Sequence, residues 1–226
     1  MSLKIQNWKN HIPKIIIAII AILFLGCIIR IAVWEHGYYQ EKEGTERKVT
    51  EEIENPDVDE TEVTIEEVEQ YTVAADKPRY LSIDKLGISN ARIVEVGVES
   101  TGQLGTPVSI YDVGWYRNSA KPGQGGTMLL DGHNGGPTKT GVFKSLPSLA
   151  IGDIITVERG DGTIFKYGVV ENNKYSLEEA DKNMAKMETS PKIGQESLSL
   201  ISCTGEWSNV KKTYLSRQFI RAVLVE

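Results

Sequence analysis

From residue 78 to residue 226 the chain is a succession of short apolar stretches punctuated by glycine, and this texture limits its fold more than any other feature. Alternation over residues 80–86 and 92–98, a short stretch at 113–116 and the run Thr127-Met128-Leu129-Leu130 read as strands. Residues 153–159 and 163–170 flank Gly160-Asp161-Gly162, a strong hairpin signal. Residues 197–203 and 215–225 supply the last two strands. Helical periodicity is sparse. One helix is predicted after Ser176, where Glu179 completes a capping-box pattern and Leu177, Ala180, Met184 and Met187 continue the helical pattern. A shorter one within 143–149 meets Pro147, which would break it. Short strands with few helices predict a mostly β domain, a closed barrel or a sandwich rather than an alternating α/β fold.

The net charge of -6 is unevenly distributed. Residues 1–34 carry four basic residues and no acid, residues 35–70 carry 14 acids against 3 bases, and residues 71–226 carry 17 against 18. No basic stripe with interleaved aromatics appears, so nucleic acid is excluded as a partner. Residues 15–29 are uncharged, and the apolar run extends to Trp34 if Arg30 is tolerated near one end. Its 20 residues match the roughly 20 needed to cross a bilayer. Lys4, Lys9 and Lys14 precede it and acids follow it, which orients the N-terminus to the cytoplasm and the rest outside. The run is too long for a cleaved signal peptide, and no small-x-small site follows Trp34. The organisation expected is a cytoplasmic N-terminus and signal-anchor helix over 1–34, with lipid contacts through 15–34. An acidic extracellular stalk follows over 35–76, then a β domain over 77–226. Like charges extend the stalk, with some helix near 62–71.

Three side chains at strand ends carry the chemistry. Cys203 is the only cysteine besides Cys27, which lies in the apolar run, so an exported chain holds an unpaired thiol. A thiol attacks as the thiolate and needs nearby positive charge to ionise; otherwise it is a small buried hydrophobe at a strand end. His133 follows Asp131-Gly132 and faces the loop Asn134-Gly135-Gly136-Pro137. It suits proton exchange near neutral pH, or else it is a surface loop histidine. Arg217 falls 14 positions after Cys203, where a guanidinium steadies a thiolate or an oxyanion, or is simply an ordinary surface arginine. Arg221 competes, about 13 Å further along the same strand face.

Together these residues resemble the sortases, membrane-anchored cysteine transpeptidases of bacterial surfaces. The sortase cysteine motif, Thr-Leu-x-Thr-Cys, reads here Ser199-Leu200-Ile201-Ser202-Cys203, with serine twice replacing threonine. The strand-end histidine reads Leu130-Asp131-Gly132-His133. A downstream Phe-x-x-Leu-x-x-Leu-x-x-Gly-Asp segment recurs as Phe143, Leu146, Leu149, Gly152 and Asp153, and Arg217 matches the arginine of the final strand. The resemblance spans about residues 80–226. The paired serines and Asp131 depart from the best-known class.

The resemblance implies a closed eight-stranded β-barrel with one or two short helices. It implies that Cys203 attacks a carbonyl of a sorting motif such as Leu-Pro-x-Thr-Gly in surface proteins, forming a thioacyl enzyme. His133 then protonates the leaving amine, and Arg217 stabilises the oxyanion or holds the substrate backbone. The acceptor is an amine of a cell-wall precursor or a pilin lysine. Asn134, Trp207 and Ser202 are candidate substrate contacts, against bland readings as a turn former, a packed loop aromatic and a strand hydroxyl. Some sortases bind calcium through acidic loops, but residues 77–226 hold no dense acidic cluster, so no metal and no cofactor is expected. Two other functions compete. A peptidoglycan-directed cysteine acyltransferase of the L,D-transpeptidase type has an arginine two residues after its cysteine, where Gly205 stands here. A non-catalytic wall-binding β domain would bury Cys203 far from His133.

Overall fold

The computed structural model describes residues 58–99 and 104–226. The expected membrane span lies outside the described residues. Within them the glycine-punctuated stretches form strands β1 (Pro78–Ile83), β2 (Ile88–Val96), β3 (Val113–Tyr116), β4 (Thr127–Gly132), β5 (Ile154–Arg159), β6 (Ile164–Ser176), β7 (Ser197–Ser208) and β8 (Thr213–Leu224). They close into a barrel in the order β1-β2-β3-β4-β7-β8-β6-β5. The pairs β2–β3 and β4–β7 are parallel, and the other adjacent pairs are antiparallel. Closure leaves no open sheet edge, which is how an all-β domain of this size avoids edge-to-edge association.

Alternation decides what each strand buries. Leu130, Leu198, Leu200 and Ile220 point into the barrel, where Tyr167 and Phe143 join them. The opposite face of β4 and β8 is covered in part by helix α2 (Leu177–Met187), whose Ala180 and Met187 pack on Leu129 and Phe219. The predicted capping box at its start forms: Ser176 accepts from the Glu179 N–H, and Glu179 accepts from the Ser176 N–H at 2.9 Å. At 143–149 proline limits the chain to a single 3-10 turn, Leu146–Ser148.

Strands β6 and β7 run further than local propensity suggests. The polar run Glu171-Asn172-Asn173-Lys174 continues β6 because each of these residues pairs with β8. Helix α1 (Ile65–Gln70) opens on a second capping box, Thr64 with Glu67. Its surroundings differ from a free stalk. The Asp59 N–H donates to the Val108 carbonyl at 2.8 Å, the Tyr71 hydroxyl to the Ile93 carbonyl at 2.5 Å, and Arg79 Nε to the Tyr71 carbonyl at 2.8 Å. Val63, Val68 and Tyr71 are half-buried while Ile65 is exposed. The acidic stretch therefore ends in a segment laid along the barrel, because its few apolar side chains share one side.

Candidate active site

The register of three strands builds the site. Strands β7 and β8 pair Cys203 directly with Arg217, and β6 places Tyr175 opposite Arg217 on its other flank. Strands β4 and β7 run parallel with Gly132 opposite Ser202, so the next residues, His133 and Cys203, stand level. Directly opposed residues hold their Cβ atoms about 5 Å apart. Leu198, Leu200 and Ser202 face inward, so Ser199, Ile201 and Cys203 face outward, on the side that also carries Arg217. The last described strand end before the glycine loop, Gly132, has no room for a side chain: a Cβ there would lie 2.6 Å from the Phe143 ring.

Each side chain is held differently. His133 Nε2 is 2.7 Å from the Pro107 carbonyl oxygen. A carbonyl only accepts, so Nε2 carries the hydrogen and Nδ1 is left for proton exchange. Arg217 donates through Nη1 to the Tyr214 and Ser216 carbonyls at 2.9 and 3.1 Å, and through Nη2 to Thr213 Oγ1 at 3.1 Å. Backbone acceptors fix its guanidinium, and among the described residues no carboxylate pairs with it. Cys203 is half-buried. Burial pushes its thiol up, the Arg217 guanidinium pulls it down, and Asp131 adds a smaller upward push.

Asp131 is the residue that the motifs do not explain. It is 4 % exposed, one pleat before His133, and neither carboxylate oxygen has a hydrogen-bond partner among the described residues. Burial pushes its carboxyl well above the ordinary range, because an isolated ion is costly to desolvate. It occupies space over β3 that a side chain at Gly114 would fill, since a Cβ there would overlap Asp131 Oδ1. The one sequence signal was a charge ending an otherwise apolar strand. Pro107, whose carbonyl holds the histidine ring, had no signal at all, since any residue carries that group.

The remaining candidates separate. Ser202 is buried on the inward face and donates to the Gly132 carbonyl at 2.9 Å, so its hydroxyl ties β7 to the end of β4. Asn134 is buried, and its carbonyl accepts from the Gly141 N–H at 3.0 Å, closing the loop after His133. Trp207 is 52 % exposed and meets Tyr214 edge-on across the β7–β8 hairpin, with ring centroids 5.3 Å apart. Arg221 pairs in register with Ser199 and donates to Glu171 Oε1 at 2.8 Å and to the Thr189 carbonyl at 2.9 Å. It is a structural arginine, and Arg217 is the one beside the thiol.

The closed barrel thus pairs a cysteine with an arginine across two strands and sets a histidine level with them on a third. The family model of the Sortase domain matches residues 81–225, and the chain belongs to the sortase family of transpeptidases. Among solved structures, the pilus-related Sortase C of Group B Streptococcus is similar at 17% identity, covering 76% of this chain and 77% of that one with a TM-score of 0.50. A lid mutant of Sortase A from Corynebacterium diphtheriae has 22% identity over 70% and 74% of the two chains at a TM-score of 0.49. The Clostridium perfringens Sortase D5 transpeptidase has 20% identity over 81% and 98% at 0.47. No curated protein matches the sequence.

Proposed function

We propose that this sortase is anchored by residues 15–34, with its N-terminus in the cytoplasm and its barrel outside. It cleaves an LPxTG-like sorting motif in surface proteins and joins the acyl fragment to an amine of the cell wall or of a pilin. What supports the residue roles is the register that pairs Cys203 with Arg217 and sets His133 level with both. Cys203 gives its thiol proton to His133 Nδ1, the resulting thiolate adds to the scissile carbonyl, and the carbonyl electron pair moves to oxygen. Arg217, whose Nη1 is held by backbone carbonyls, stabilises that oxyanion through its charge and its remaining N–H donors. Collapse breaks the C–N bond, the leaving amine takes a proton from His133, and a thioester to Cys203 remains. The acceptor amine then attacks the thioester, His133 takes back a proton, and the thiolate leaves. Trp207, exposed beside the Cys203 strand, is the candidate among the proposed contacts that is free to meet the peptide. Ser202 and Asn134 act through the strand and loop they fix.

The test is incubation of the full chain with a peptide library and hydroxylamine, followed by mass analysis. Hydroxamates at one motif are expected, and none with Cys203→Ala. Transfer retained by Cys203→Ala overturns the mechanism.

A further inference from the structure

Two consecutive residues ahead of the barrel reach both structures that hold His133. Glu60 lies over the loop that follows the histidine. Its Oε1 accepts from the Thr138 N–H and the Lys139 N–H, each at 2.8 Å, and its Oε2 accepts from the Thr138 hydroxyl. Gly136 leaves the room: a Cβ there would overlap Glu60 Oε1. Lys139 Nζ adds an ion pair to Glu62 at 3.2 Å. Those donors hold the Glu60 carboxyl below the usual range, the Thr138 hydroxyl contributing most.

Asp59 grips the other support. Its N–H donates to the Val108 carbonyl at 2.8 Å, and its carbonyl accepts from the Ile110 N–H at 3.0 Å. The strip that it joins begins one residue after Pro107, whose carbonyl takes the His133 ring. The same strip is tied to the histidine loop, since the Val142 N–H donates to the Ile110 carbonyl at 2.8 Å and the Phe143 N–H to the His133 carbonyl at 2.9 Å.

We propose that Asp59 and Glu60 form a clasp that positions His133 for acyl transfer, Asp59 through the strip that bonds the ring and Glu60 through the loop that follows the backbone. The proposal rests on the reading of His133 as the proton carrier. Glu60 is a positioning residue and touches no substrate. Its bonds are solvent-facing, so each adds little to stability. Proton transfer, in contrast, is sensitive to displacement, and a misplacement of about 1 Å can cost up to about a hundredfold in rate. Loss of the clasp therefore reads out in turnover before it reads out in folding. It also places control of the histidine in the segment leading into the barrel rather than in the barrel itself.

The test uses the full chain in detergent, with the peptide found by the hydroxylamine assay as substrate. Glu60→Ala is expected to lower kcat by about tenfold. KM is expected to stay within about twofold and the thermal midpoint within about 2 °C. Glu60→Gln, which keeps an acceptor for the two amides, recovers most of the rate. In protein labelled with 13C-histidine, the His133 ring signal, assigned through His133→Ala, moves in chemical shift in Glu60→Ala. Parental kcat with a parental ring signal overturns the clasp, and so does a loss of stability with kcat unchanged. If the parent itself transfers nothing, the functional reading fails; the ring signal, read without substrate, still decides whether the clasp acts on His133.

Discussion

At Cys203 two opposing effects meet: burial holds the proton on sulfur, and Arg217 across the strand pulls it off. Removing the guanidinium leaves burial unopposed. Arg217→Gln is therefore expected to raise the pH midpoint for alkylation of Cys203 by iodoacetamide and to slow alkylation at pH 7.5 by about threefold to tenfold. The reaction is followed on the peptide containing Cys203, and an unchanged midpoint removes Arg217 from the site. Asp131 poses the opposite problem, a carboxyl whose burial outweighs the pull of its own backbone N–H. Its folded value is raised, so the folded chain keeps a proton that the unfolded chain releases near pH 4. Stability then falls as pH rises from that ordinary value towards the raised one. Asparagine has no such proton. Asp131→Asn is expected to gain thermal stability relative to the parent at pH 7.5 and to gain none at pH 3, as thermal melts at the two pH values would reveal; equal differences at both remove the buried charge from the account.

Among the elements, β3 and β4 are fitted to each other at one contact. Gly114 stands opposite Asp131 in the antiparallel pair, and a methyl at 114 would overlap the carboxyl and lie 3.1 Å from Pro107 and Val96. Gly114→Ala is expected to destabilise the barrel by about 1–3 kcal/mol in denaturant unfolding. Adding Asp131→Ala should recover much of that loss, since the two changes share one space. Additive costs would show that the overlap is relieved elsewhere. The elements themselves were largely legible in the sequence. Alternation, short apolar runs and turn signals located the eight barrel strands, and Ser176 with Glu179 fixed the start of α2, because these signals are local. Extension of β6 through Asn172 and Asn173 was not legible, because it is imposed by pairing with β8 about 46 residues away.

For the whole molecule, the described part of the folded unit begins ahead of the first barrel strand, at Val58. Tyr71 and Arg79 tie that leading segment to β1 and β2, and Asp59 ties it to the strip before β3. A chain starting at Pro78 is expected to melt about 5–10 °C below one starting at Pro56, and equal midpoints would mean that the segment adds nothing to the domain. Sequence alone was enough for the mostly β class, for the order of the barrel strands along the chain, and for the sortase motifs around Cys203 and His133. Strand periodicity and motif spacing are properties of neighbours in the chain. Folding in three dimensions settled that Cys203 faces Arg217 rather than Arg221, that Pro107 holds the His133 ring, that Asp131 lies buried, and that residues 59 and 60 bond to the strip and the loop on either side of the histidine. These facts depend on register and burial across separations of 14 to 79 residues, as between Cys203 and Arg217 or Glu60 and Lys139, and no local pattern records which distant backbone a residue will meet.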